Sequence, residues 1–245
     1  MRVELKKGDE PVTIADKKCS ELIMSGLEES FPTDILISEE SSDDPRRKNH
    51  SRVWFVDPID GTKDFIRGED GFCIMIGLCV DGTPLVGVVY QPVHKKTYAA
   101  TPDIGCFCFT ENNTPQKIET SGFDKLNQFR LVASKSHRSE AVIKAKEALG
   151  ITDELNIGSV GLKLGLISEG KREVYVNPSN RTKCWDSCGP EAILKAAGGK
   201  LTDLDGNSIV YNKDFINHPR GLLATNGRAH PAAVAKLSSV FPKLD

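Results

Sequence analysis

The sequence predicts an α/β protein in two parts: an α+β half with an antiparallel sheet over residues 1–128, and an α/β half over residues 129–245. Three observations point there. Two apolar runs, Cys73–Val80 and Leu85–Tyr90, flank Asp81-Gly82-Thr83-Pro84, which is hairpin turn chemistry. Beyond residue 128, short apolar runs alternate with segments of helical period, as in α/β units. The 245 residues are 39% hydrophobic and 27% charged, ordinary for a soluble globular protein with an extensive core.

In the first half, residues 1–15 are polar, with Gly8-Asp9-Glu10-Pro11 as a turn. Val12-Thr13-Ile14 reads as a strand or extended arm ending at Asp16. From Lys17 to about Ser30, Cys19, Leu22, Ile23 and Leu27 recur at helical spacing, and Phe31-Pro32 stops that helix. Ile35-Leu36-Ile37 is a strand with Ser38-Glu39-Glu40-Ser41 at its end, and residues 42–52 are charged and loop-like. Trp54-Phe55-Val56 is a buried strand that leaves the sheet at Asp57-Pro58. Runs at 96–100 and 106–110 extend the antiparallel set. The polar stretch 111–128 holds a subdomain boundary.

In the second half, strands are expected at 130–133, 174–176 and 221–225, and helices at 141–149 and 231–240. Ile157-Gly158-Ser159 leads into a helix through Leu162, Leu164, Leu166 and Ile167. Trp185-Asp186 precedes a helix from Pro190 to Ala197, closed by Gly198-Gly199; proline near the start and glycine past the end is the usual asymmetry.

The net charge of −2 gives no reason to expect a nucleic-acid polymer as partner. Seven scattered cysteines, an odd number without a C-x-x-C pair, argue against a disulfide framework, and no histidine completes a zinc set around Cys184 and Cys188. No apolar run approaches the roughly 20 residues of a membrane span, and the N-terminus lacks a signal-peptide core. A cytoplasmic protein, monomer or homodimer, is the default.

The chemistry concentrates in Asp57-Pro58-Ile59-Asp60-Gly61-Thr62. Two carboxylates three residues apart can face one point from a turn. Gly61-Thr62 then opens a helical segment whose first N–H groups are free for phosphate. Oxygen ligands beside phosphate suit Mg²⁺. An Asp-Pro turn followed by an Asp helix cap accounts for the same residues without function. Asp16, Glu39 and Asp186 also sit at element ends; each alone is readily a cap, but gathered together five acids would repel unless cations neutralised them.

These motifs, with Ser38-Glu39-Glu40-Ser41 and Trp185-Asp186 … Ala197-Gly198-Gly199, resemble the inositol monophosphatase superfamily over nearly the whole chain. Ser134-Lys135-Ser136-His137-Arg138, Gly158-Ser159-Val160-Gly161-Leu162-Lys163 and the stretch from Trp185 to Leu194 look most like its 3′(2′),5′-bisphosphate nucleotidase branch. The resemblance implies a layered αβαβα sugar-phosphatase fold. It implies a Mg²⁺-dependent, commonly lithium-inhibited phosphomonoesterase with two or three ions. The substrate implied is a small nucleotide bisphosphate, adenosine 3′,5′-bisphosphate, a by-product of sulfate activation, hydrolysed at the 3′-phosphate.

Residue by residue, the resemblance implies that Glu39, Asp57 and the Ile59 carbonyl hold one ion. Asp57, Asp60 and Asp186 would hold a second, with a third, weaker ion near Glu39. Asp16 and Thr62 would orient and deprotonate water, and the N–H groups of Gly61 and Thr62 would grip phosphate. His137, Ser159 and Lys163, with Ser134 nearby and Asp186 adjoining, would contact substrate. On sequence alone Lys163 also fits a solvated helix lysine and His137 a surface loop. The rivals are an inositol phosphatase or broad sugar phosphatase, and a non-catalytic metal or nucleotide binder. Two departures stand out: only fifteen residues precede Asp16, where the family carries a long helix, and the 40–52 loop is short. The expectation is altered packing over one sheet face and a more open rim.

Overall fold

Strand β1 (Val3–Leu5) pairs antiparallel with β2 (Pro11–Thr13), and helix α1 (Ile14–Ser30) follows without a break. The chain is described from a computed structural model over residues 3–5, 11–112, 114–135 and 139–242. The Gly8–Glu10 part of the expected turn lies outside those residues, as does His137 with Ser136 and Arg138. Helix α1 starts three residues before the expected Lys17. Thr13 is its N-cap and Asp16 its third residue, and together they close a capping box that satisfies the free N–H groups of the first turn.

Seven strands then form one sheet in sequence order: β3 (Ile35–Ser38), β4 (Arg52–Asp60), β5 (Cys73–Val80), β6 (Thr83–Gln91), β7 (Lys96–Thr101), β8 (Gly105–Thr110) and β9 (Gln116–Lys117). The β3–β4 pair is parallel and the others antiparallel. A 3₁₀ turn at Pro45–Lys48 connects β3 to β4. The fully buried Arg47 anchors it, donating from Nε to Asp43 at 2.5 Å and from Nη1 to the Lys213 carbonyl at 2.8 Å. Strand β4 does not leave the sheet at Asp57, as expected from Pro58. It runs to Asp60 through a bulge: Asp57 faces Met75 and Asp60 faces Cys73, three residues against two. A bulge is where a strand tolerates a proline that cannot donate to the ladder. Short α2 (Thr62–Arg67) follows.

The second half supplies β10 (Leu131–Ser134), α3 (Glu140–Leu149), β11 (Glu154–Ile157), α4 (Val160–Ser168), β12 (Val174–Asn177), α5 (Cys184–Ala196), β13 (Lys200–Thr202), β14 (Leu222–Thr225) and α6 (His230–Ser238). The sheet order is β11-β10-β12-β14-β13, parallel across the first three and antiparallel beyond. Four strands escaped the sequence reading: β1, β9, β11 and β13 are short and partly polar. Helix α5 begins at Cys184, six residues before the expected Pro190, which lies inside the helix.

Helices α4 and α5 are sandwiched between the two sheets. Helix α5 packs on β4 through β8, and α4 on β5, β6, β10 and β12. Helix α1 lies on β3 and β4. On the other side of the second sheet, α3 and α6 close a core with Leu131, Val174, Val176 and Leu223. The result is the expected layered helix–sheet–helix–sheet–helix order. The buried layer explains why α4 reads apolar all round. It also explains Gly189: a Cβ there would come within 2.6 Å of the Ile76 carbonyl, so only glycine lets α5 lie this close to β5. All seven cysteines are free, and among the described residues no helix is long and apolar enough to cross a membrane.

Candidate active site

The β4 bulge aims Asp57 and Asp60 at the start of α5. Asp57 is 1% exposed, and its Oδ1 accepts the Ile59 N–H at 3.0 Å. Burial pushes its carboxyl well above the usual range, and the charges of Glu39, Asp60 and Asp186 push it further. Asp186 is raised in the same way by burial, Asp60 and Glu39. Four acids from the end of β3, the bulge of β4 and the first turn of α5 therefore share one electrostatic centre. Glu39 reaches it because its N–H bonds the Val56 carbonyl at 3.0 Å, carrying the parallel ladder one residue past β3. Asp186 reaches it as the third residue of α5, where its Oδ2 accepts the Lys183 N–H at 2.7 Å.

Among the described residues, no three acidic, histidine or cysteine side chains close into a ready metal cage. Asp60 Oδ2 accepts from Ser159 Oγ at 2.7 Å and from the Val160 N–H at 2.5 Å, so it caps α4 across the cleft. The donor set nonetheless fits a hard divalent cation. It is all oxygen, and burial together with mutual repulsion raises the Asp57 and Asp186 carboxyls, a penalty that a bound cation would relieve.

Asp16 stands beside this centre. Its Oδ2 accepts the Thr13 N–H at 2.8 Å and the Thr13 hydroxyl at 2.6 Å, which leaves Oδ1 facing Thr62 Oγ1 at 3.4 Å. The Thr62 hydroxyl is also 3.1 Å from the Ile59 carbonyl, the nearer of its two acceptors. Gly61, at φ +93°, is the N-cap of α2 and makes no side-chain cap, so no side chain occupies the first N–H groups of that helix.

The second half brings Ser134 and Ser159 to the same edge. Strands β10 and β11 are parallel, with Ser134 opposite Ile157, and α4 begins just beyond; ligands gather at the carboxyl ends of such strands. Lys163 is no solvated lysine. It is 3% exposed, donates to the carbonyls of Gly158 and of Ser159 (3.0 Å), and lies 5.4 Å over the Tyr175 ring. Burial lowers it to about 8, against the opposing pull of the Asp60 charge.

Sequence reasoning missed Cys73 and Tyr175. Cys73 Sγ lies 2.8 Å from Ser159 Oγ; since that hydroxyl donates to Asp60, the thiol is the donor. Its place opposite Asp60 in the β-ladder was the available signal. Tyr175 carried none, because an apolar run like Val174-Tyr175-Val176 reads only as core.

The inositol monophosphatase family model matches residues 1–240. The chain is 34% identical over 228 residues to the 3′(2′),5′-bisphosphate nucleotidase CysQ of Salmonella typhimurium, covering 89% of this chain and 87% of that one. Among solved structures, a Thermotoga maritima IMPase superposes with a TM-score of 0.80 at 25% identity, covering 98% of this chain and 88% of that one. An IMPase/NADP phosphatase complexed with Mg²⁺ and phosphate superposes with a TM-score of 0.79 at 25% identity, covering 96% and 85%.

Proposed function

The chain belongs to the inositol monophosphatase family, and from that premise we propose that it is a Mg²⁺-dependent 3′(2′),5′-bisphosphate nucleotidase releasing the 3′-phosphate of adenosine 3′,5′-bisphosphate. The observation that carries this is the buried Asp57 in the field of Glu39, Asp60 and Asp186. The choice of branch rests on the 34% identity to a nucleotidase over most of both chains. A second reading, an inositol or broad sugar phosphatase, is favoured by the IMPase-named structures at 25% identity.

Glu39, Asp57, Asp60, Asp186 and the Ile59 carbonyl would hold two or three ions. Bound Mg²⁺ supplies charge neutralisation at the phosphate and lowers the pKa of a water. The chain's own residues do the rest. Asp16, held by Thr13, accepts the Thr62 hydroxyl proton once that hydroxyl turns from the Ile59 carbonyl, so Thr62 can accept from water in turn. The N–H groups of Gly61 and Thr62 receive the phosphate. Ser134, His137, Ser159 and Lys163 receive the nucleotide, with Asp186 adjoining. Water attacks directly, without a phosphoenzyme.

Initial rates on adenosine 3′,5′-bisphosphate, inositol 1-phosphate and fructose 1,6-bisphosphate, with and without Mg²⁺, test the assignment. The nucleotide should lead, and only with Mg²⁺. A preference for inositol 1-phosphate of about tenfold, about 1.4 kcal/mol of transition-state binding, would move the protein to the second reading.

A further inference from the structure

Two glycines from separate segments, Gly71 and Gly158, meet one buried carboxyl group beside the site. Asp64, third residue of α2, is 2% exposed, and neither of its carboxylate oxygens has a hydrogen-bond partner. Its Oδ2 lies against the α-carbons of Gly71 and Gly158, so a Cβ on either would collide with it. A Cβ on Gly158 would also strike the Gly71 carbonyl, and one on Gly61 would come within 2.6 Å of that same oxygen. The Gly61 turn, the α2–β5 loop and the β11–α4 turn are therefore in backbone contact around Asp64. Two side-chain contacts span the same seam. Cys73 Sγ meets Ser159 Oγ at 2.8 Å, and Lys135, at the end of β10, pairs with Glu69 of the α2–β5 loop at 2.7 Å.

An unpartnered buried carboxyl is destabilising, and an apolar side chain would fill the seam without that penalty. Its position suggests what the carboxyl is kept for. Gly61 begins the turn assigned to phosphate, and Gly158 directly precedes Ser159 and the helix that carries Lys163. We propose that Asp64 is a positioning residue that sets the distance between the phosphate turn and the nucleotide-contacting turn. The proposal rests on the nucleotidase assignment above. Asp64 touches neither reacting atom; it acts through the two turns it separates.

The test compares a substrate that needs both turns with one that needs only the first. Steady-state kinetics of wild type, Asp64→Ala and Asp64→Asn are measured on adenosine 3′,5′-bisphosphate and on para-nitrophenyl phosphate, with thermal unfolding as the check on folding. Asp64→Ala should raise KM for the nucleotide about tenfold while leaving kcat/KM on the aryl phosphate within about threefold. Asp64→Asn, matched in size and polarity, should restore the nucleotide KM. Equal losses on both substrates, no change on either, or a variant that does not fold would assign Asp64 to the fold and overturn the proposal. If the wild type prefers inositol 1-phosphate, the assignment fails on the wild type alone, and the proposal is judged by the same ratio with that ester.

Discussion

Helices α1 and α5 begin in the same way and differ in use. Each carries an aspartate as its third residue, and each aspartate accepts the N–H of the residue at the cap, at 2.8 Å for Asp16 and 2.7 Å for Asp186. At α1 the cap is Thr13, whose hydroxyl adds a second donor to the same carboxylate oxygen and leaves the other to Thr62. At α5 the cap is Lys183, and the carboxyl it holds faces Asp60 and Glu39. Capping and the role proposed for the same acid are thus compatible. The local geometry is shared, and under the proposed function the neighbours assign one acid to steering a proton and the other to a cation site.

That contrast can be broken experimentally. The largest expected effect is Asp186→Asn, which should lower kcat by about 10³-fold or more and weaken the Mg²⁺ requirement curve. Asp16→Asn should lower kcat by about 10²-fold or more with half-saturating Mg²⁺ nearly unchanged. A shift in Mg²⁺ dependence as large as that of Asp186→Asn would erase the distinction.

The pH dependence of stability sharpens it further. Asp57 and Asp186 are raised in the folded protein, so protonation favours the fold. That stability is present below the unfolded carboxylate range and is lost as pH rises through the raised values. Mg²⁺ needs the carboxylates ionised and acts in the opposite sense. The Tm gain on adding Mg²⁺ should therefore be larger near about pH 8 than near about pH 5, and Asp57→Asn should flatten the difference. Equal gains at both pH values would contradict the acid-cluster account. The smallest effect is Thr13→Val, which removes the second donor to Asp16. It should cost about 1 kcal/mol in stability by denaturant unfolding, with a loss of kcat smaller than that of Asp16→Asn.

The two helix starts also show how much was legible in the sequence. The stretch Asp57–Thr62 was readable because its chemistry is local: a bend, two acids and a glycine within six residues. The two-part α/β class followed from the hairpin and the alternating second half, and the layered order from the family resemblance. The starts of α1 and α5 differ from the expected ones because an acid at a helix start reads as the boundary, although here it is the third residue, reaching back to the N–H of the cap. Pro190 misled further, since proline usually marks a first turn. The burial of Lys163 and the seam of Asp64 with Gly71 and Gly158 left no sequence signal. They depend on segments nearly a hundred residues apart, which only the packing of two sheets around α4 and α5 brings together.

The most direct measurement is phosphate release from adenosine 3′,5′-bisphosphate as a function of Mg²⁺, for wild type and Asp57→Asn side by side. Asp57 is the most buried of the gathered acids and the one assigned to both principal ions. The wild type should be inactive after chelation and rise to saturation with added Mg²⁺, while Asp57→Asn stays inactive at every concentration. Phosphate release that persists in the chelated wild type, or a variant that reaches the wild-type rate, would contradict the account.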